Sequence, residues 1–476
     1  MNETPKKVAL NSAHIVVGKI TATLISMVVA FQVIRYLGPD NYGIYSYVLT
    51  VLTFTQVLSG VNIEQIFVKK LSLKNVDENE LCGNAICIKL FLSMIAILII
   101  CIYAFFSDNS VGIALYIAVA ALSLLFSFNN LFAGIYQVRL NSFIGVIVEI
   151  VTSLLSATLL LWMVWNRKPL VYFIMLQAFS IAPQAIVNYI IAERHIGIKP
   201  KFKFKIDIWK VLLRESAPIF FGSIFVTINM RIDQVIIYSM LDTASLGQYA
   251  AIVKLVEGIN FVPAAFMASL FPLMCRTYNE SYDKFLALYA RACKYLVIMV
   301  MPIVVIVSLF PEQILFILYG QKYLPAADAM RVLIWSELFI FLSCAHSGAI
   351  MAAGLQKELV VFYPIGTLVN VVMNLVLIPR IGIVGASIAT LNSFGGILLF
   401  TQYIKPKLRP YMNIYLLSIW KPLIISIIII SVVMLIKLTL LSGSIFTVSA
   451  YVILVLLLKV IDNDDLIILK SIFNRH

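Results

Sequence analysis

Apolar positions run in long blocks along this chain, and charged residues collect in the short gaps between them. A block of about 20 apolar residues is long enough to cross a bilayer as a helix. Read in order, the blocks give fourteen candidate spans, the first six at about 10–36, 44–67, 86–106, 112–136, 142–165 and 170–192. Six more lie at about 216–240, 246–274, 290–318, 328–353, 359–379 and 383–403, and a last pair at about 414–436 and 444–460. Pro302 and Pro311 predict a kink or an early end in the ninth span. The fold expected is all-α and polytopic.

Within the seventh block, APIFFGSIFVTINMRIDQVIIYSM, stand Arg231 and Asp233. A charge near the bilayer centre costs at least about 2.5 kcal/mol on insertion scales, so such side chains face protein or a water-filled path. Two positions apart, they point to roughly opposite sides of a helix and cannot simply neutralise each other. At least one needs a partner or a ligand on another helix. A polar interior in a membrane protein points to transport.

Composition agrees. Of 476 residues 62% are hydrophobic and only 12% charged, against about 25% charged in soluble domains. MNETPKKVAL leads directly into a spanning block without a small-residue cleavage site, so no cleavable signal is expected. The six cysteines are scattered with no CxxC or Cys/His cluster, which argues against structural disulfides and a metal site. The net charge of +13 is a topology signal rather than a nucleic-acid patch. With the N-terminus inside, outer segments hold only Arg35, Arg167, Lys168, Lys322, Arg380 and Lys437, and the spans hold Lys19, Arg231, Lys254 and Arg331. Every other Lys and Arg falls on the inner side, so both termini are expected in the cytoplasm. The basic stretch from Glu193 to Glu215, with its KFKFK alternation, is expected to be a cytoplasmic connector resting on anionic headgroups.

Sliding the chain on itself by 204 positions aligns the first span with the seventh without a gap. The pairs Ser12/Ser216, Ala13/Ala217, Gly18/Gly222 and Thr23/Thr227 are identical, and so are Leu37/Leu241, Gly43/Gly247 and Tyr45/Tyr249 beyond the first outer loop. Six helices per repeat is an even number, which puts the pseudo-axis along the membrane normal and a path between two lobes. The organisation expected is a six-helix lobe with its connector at 1–205, a second six-helix lobe at 206–408, and two additional helices with a tail at 409–476.

Several stretches carry a family likeness: NSAHIVVGKI at 11–20, LGPDNYGIYSY at 37–47, LDTASLGQYAA in the second half, AAGLQKE at 352–358 and NVVMNLVLIPRIGIVGASIAT at 370–390. In the last, Asn370, Asn374, Pro379, Gly382, Gly385 and Ala386 form a helix-turn-helix signature, with Pro379 and Gly382 making a tight turn. On these residues the chain resembles the polysaccharide-transport flippases of the Wzx type, within the multidrug/oligosaccharidyl-lipid/polysaccharide exporter (MOP) superfamily. The resemblance implies a two-lobed fold that moves an undecaprenyl-pyrophosphate-linked glycan, an O-antigen or similar repeat unit, from the inner to the outer leaflet of a bacterial inner membrane. It implies membrane lipid as a partner, with the polysaccharide polymerase and chain-length regulator as candidate partners. Fourteen spans depart from the twelve of many relatives.

Candidate substrate-binding residues are Lys19, Arg231 and Lys254, cations suited to pyrophosphate oxygens. Lys254 has a bland reading too, a local i, i+3 pair with Glu257. Candidate ion-coupling residues are Asp233, Glu149 and Glu337, single acids within spans. His14 and His346 read as packed polar side chains, Glu64 and Arg331 as interfacial. No P-loop and no nucleophile elbow is present, so neither catalysis nor a cofactor is expected. Two other functions compete: a cation-coupled multidrug exporter of the same superfamily, which favours an acidic cavity, and a membrane enzyme, which needs a large outer loop.

Overall fold

The computed structural model describes residues 3–60, 62–73, 77–107, 110–360, 362–397 and 403–461, the side chains of 3–17, 19, 359–360, 362–363 and 397 excepted. The described chain is helical almost throughout and falls into two compact units. Residues 1–261 with 374–383 form the first, and 262–373 with 384–476 the second. Among the described residues, eleven helices are long and apolar enough to cross a membrane, or twelve if one bent pair counts as a span.

In chain order the helices are α1 Glu3–Gly60, α2 Ile63–Ser72, α3 Glu78–Phe106, α4 Val111–Ala121, α5 Asn129–Val138, α6 Ser142–Trp165, α7 Leu170–Phe179 and α8 Ile181–Ile191. After the connector come α9 Ile206–Met240, α10 Thr243–Glu257, α11 Phe261–Glu280, α12 Tyr282–Leu309, α13 Pro311–Leu318 and α14 Ala327–Leu333. The chain closes with α15 Ser336–Ala352, α16 Gln356–Val360, α17 Phe362–Ile381, α18 Ile383–Asn392, α19 Arg409–Ile436 and α20 Leu440–Leu457.

The 58 residues of α1 would rise about 87 Å, far more than the roughly 30 Å of hydrocarbon. Gly38 breaks them, with φ 69° and ψ 171°, and Pro39 starts the second leg. The corresponding break in the second half lies between α9 and α10, where the Asp242 carboxylate caps α10 by accepting from the Ser245 amide (2.6 Å). Across the two breaks the packing is reciprocal. A Cβ on Gly43 would overlap the Thr243 carbonyl oxygen, and a Cβ on Gly247 would overlap that of Pro39. Pro39 and Thr243 are themselves 204 positions apart, like Gly43 and Gly247.

Polarity is arranged inside out relative to a soluble protein. Phe105, Trp165 and Leu435 are more than four-fifths exposed, as an exterior solvated by lipid tails requires. Ser93, Asn188 and Gln234 are buried, each with a partner: Ser93 donates to the Leu124 carbonyl, Asn188 to Asn129, and Thr50 donates to Gln234 (2.6 Å). The connector differs from the expectation of headgroup contact. Residues 198–205 run along the start of α3, where Lys201 pairs with Asp77 (2.9 Å) and Lys205 with Glu80. Asn84 donates to the Lys203 carbonyl and accepts from the Lys205 amide and the Trp209 indole. The KFKFK lysines at 201 and 205 thus answer acids of the chain itself.

In the second unit, α12 packs against α15, α19 and α20. Tyr289, His346, Tyr411 and Tyr415 meet there as a buried aromatic cluster, with Tyr289 hydroxyl and His346 Nδ1 3.1 Å apart. The two helices without a counterpart in the repeat, α19 and α20, therefore supply part of this unit's core. The turn after α17 is carried by Gly382 at φ 61°, while Pro379 lies inside the last turn of the helix.

Candidate functional site

Arg231 and Asp233 both find partners on α10, the neighbouring helix, but on different residues. The Arg231 guanidinium makes two contacts of 3.1 Å with the Glu257 carboxylate. Asp233, 5% exposed, accepts from the Tyr249 hydroxyl (2.6 Å) and from the Gln234 amide (2.7 Å). This differs from the local pairing expected of Lys254 with Glu257. Glu257 is engaged by Arg231, because a planar guanidinium satisfies both carboxylate oxygens at once where an ammonium meets one. Lys254, one turn earlier, is exposed toward a cavity instead.

That cavity, about 380 Å³, is walled by α1, α6, α7, α8 and α10 of the first unit. Besides Lys254 its polar lining consists of hydroxyls and amides, among them Ser26, Tyr45, Ser153 and Gln177. Tyr42, also in its wall, lies within electrostatic reach of both Arg231 and Glu257. Gln184 is shared with a second cavity of about 610 Å³ lined by Glu149, Asn129, Asn130, Gln137 and Asn188. Glu64 and Asn130 are shared in turn with a third, about 490 Å³, that reaches Lys89 and Asn62. The first unit is thus hollowed by three adjoining polar cavities. Asn188 and Asn129 bond to each other, and Asn188 also accepts from Tyr136, while amides such as Asn130, Gln137 and Gln184 in the same walls suit ligands rich in hydroxyl groups.

Lys89 was not among the residues expected in the interior. It is 1% exposed, pairs with Glu64 and donates to the Ser127 carbonyl (3.1 Å). Glu64, expected at the interface, is the counter-ion of this buried cation. The signal was available: Asp77 with Glu80 three positions on is a helix-start pattern, so α3 begins two turns before the apolar block and carries Lys89 eleven positions inward.

Of the remaining candidates, Glu149 lines the second cavity, and Glu337 is fully buried in the second unit. Arg231, Asp233, Lys254 and Glu149 all belong to the first unit. The backbone of Lys19 lies in α1, but its side chain, like that of His14, is outside the described residues.

The profile of a family described as polysaccharide biosynthesis protein matches residues 8–278, more than half of the chain. The chain belongs to the polysaccharide biosynthesis protein family. It is a multi-pass integral membrane protein. A second profile, MatE, matches residues 218–376. The capsular polysaccharide biosynthesis protein CapF of Staphylococcus aureus is 20% identical over 83% of this chain and 98% of its own length. An uncharacterized membrane protein of Methanocaldococcus jannaschii, MJ1068, is 30% identical over a shorter stretch, 27% of this chain and a quarter (25%) of that protein. Among solved structures, the lipid II flippase MurJ in an inward closed conformation is similar in fold, with a TM-score of 0.70 at 15% identity over 94% of this chain and 98% of that one.

Proposed function

We propose that this family member flips an undecaprenyl-pyrophosphate-linked oligosaccharide, an O-antigen or similar repeat unit, from the inner to the outer leaflet of a bacterial inner membrane. The observation that carries the reading is the chain of amide- and hydroxyl-lined cavities in the first unit, with Lys254 in the wall of one and the Arg231–Glu257 pair beside it. A glycan offers hydroxyls to the amides; a pyrophosphate offers oxygens to the cations. The family match and the likeness to CapF support a role in polysaccharide biosynthesis, and MurJ supplies a flippase of like fold.

The pyrophosphate meets Lys254 first and competes with Glu257 for Arg231, while the lipid tail stays in the bilayer. Protonation of an acid then resets the site, for which Asp233, Glu149 and Glu337 are the candidates; Glu149 has the advantage of lining the cavity. The architecture we assign is fourteen spans, with both termini in the cytoplasm. Residues 1–205 and 206–408 form pseudo-symmetric lobes and 409–476 an added pair of helices. The reciprocal contacts of Gly43 with Thr243 and Gly247 with Pro39 support the symmetry, since they are what a twofold relation produces. The Gly38 break supports counting α1 as two spans. Alternating access follows as movement at this reciprocal contact.

A cation-coupled multidrug exporter is the second reading, favoured by the MatE match over residues 218–376. A strain lacking the gene separates the two. The flippase reading expects surface polymer to be lost and undecaprenyl-linked glycan to accumulate on the inner leaflet. Unchanged glycan with raised sensitivity to cationic drugs would overturn it.

A further inference from the structure

We propose a second ligand site in the second unit, a pocket for the phosphodiester headgroup of an anionic phospholipid. It is about 420 Å³ in volume and shares no residue with the polar cavities of the first unit. Four cations line it from three elements. Arg291 and Lys294 come from successive turns of α12, Lys421 from the middle of α19, and Lys459 from the residues just after α20. Lys459 has φ 48°, so the chain reverses there and brings its side chain back over the pocket. The Lys421 ammonium reaches the Leu458 carbonyl at 3.5 Å, holding α19 against the end of α20.

The lining argues for a lipid rather than a free anion. Beside the cations the wall continues into Leu417 and Trp420, 67% and 49% exposed, on a helix whose outer face is solvated by acyl chains. Trp420 also carries the Lys421 ammonium near its ring, 5.6 Å from the centroid. An aromatic at the headgroup level next to an apolar shelf is where a glycerol backbone and its chains rest, and a basic pocket between helices takes the phosphate. All four cations belong to segments that the charge asymmetry assigns to the inner face, the leaflet that attracts anionic lipid to basic residues. The site is independent of the transported substrate.

The test uses the full chain in nanodiscs of phosphatidylcholine with graded phosphatidylglycerol, read by native mass spectrometry and thermal unfolding. The wild type retains phosphatidylglycerol in preference to phosphatidylcholine. Lys294→Gln with Lys421→Gln weakens retention by about thirtyfold, as roughly fivefold per basic residue predicts, and Lys294→Arg with Lys421→Arg keeps it. Equal retention of both lipids, or retention unchanged in the glutamine pair, would overturn the site. So would stabilisation by inorganic phosphate equal to that by the lipid, which would make it a free-anion site. Asp462, Asp464 and Asp465 follow Lys459 closely in sequence. Lipid retention only after all three become Asn would assign the pocket to the chain's own tail and overturn the proposal too.

Discussion

Gly43 and Gly247 pack backbone against backbone: each lies under a carbonyl from the turn that begins the other's helix, Thr243 over Gly43 and Pro39 over Gly247. There is no room at either position for a single methyl group. Two residues at equivalent places in a sequence repeat thus form one reciprocal contact, and α1 and α10 approach there as closely as helices can.

A bulkier residue at this contact forces backbone apart. Gly247→Val is expected to lower stability by about 1–3 kcal/mol, as overpacking does, read as an earlier thermal unfolding transition in detergent. Gly222, also matched in the repeat, has open space where its Cβ would go. Gly222→Ala is therefore tolerated, with a gain of up to about 1 kcal/mol from helix propensity. Equal tolerance at both positions would remove the close contact.

The buried Lys89 depends on Glu64 more than the reverse. Glu64→Gln leaves a buried ammonium with neutral oxygens, an amide and the Ser127 carbonyl, in place of its counter-ion, at a cost of about 3 kcal/mol. Lys89→Met with Glu64→Gln removes both charges and is expected to recover most of that loss. A double variant as unstable as the sum of the singles would rule out the coupling.

Tyr249→Phe takes the hydroxyl donor from Asp233, which then keeps only the Gln234 amide in a buried place. A loss of about 1–3 kcal/mol follows. Adding Asp233→Asn should cost less than it does in the wild type, because the two residues share one hydrogen bond.

Acid should loosen the connector, and only strong acid. The Lys201 ammonium donates to Asp77 and holds its carboxyl below the ordinary carboxylate value. A carboxyl lowered by folding contributes stability above its unfolded value and loses it as pH falls through the folded one. Amide exchange at Lys199, Lys201 and Lys205 is thus expected to stay protected from neutral pH down to about pH 4 and to rise below that. Asp77→Asn should raise exchange at all pH values and flatten the profile.

Hydropathy made the spans legible because every lipid-facing helix must be apolar on its outside, and the 204-residue offset singled out Gly43 and Gly247. What the sequence left open depends on pairings it cannot express. Lys254 and Glu257 are neighbours on one helix, yet Glu257 turns to Arg231 on another, because bidentate geometry outweighs proximity in sequence. The charge pattern counts Lys89 with the inner-side cations, while its helix starts at Glu78, capped by Asp77, and carries it into the interior. The amides at 129 and 130 and those at 184 and 188 carry no charge signal and come from two separate helices, so their convergence on one cavity is visible only once the helices are packed.

The most direct measurement of the central claim is translocation by the purified chain in vesicles carrying undecaprenyl-pyrophosphate-linked glycan on the inner leaflet. Arrival at the outer leaflet is read by a lectin added outside. Protein-dependent arrival is expected, abolished by Lys254→Ala with Arg231→Ala and partly kept by Arg231→Lys. No arrival with the wild type, in vesicles where the same protein exports a cationic dye, would contradict it.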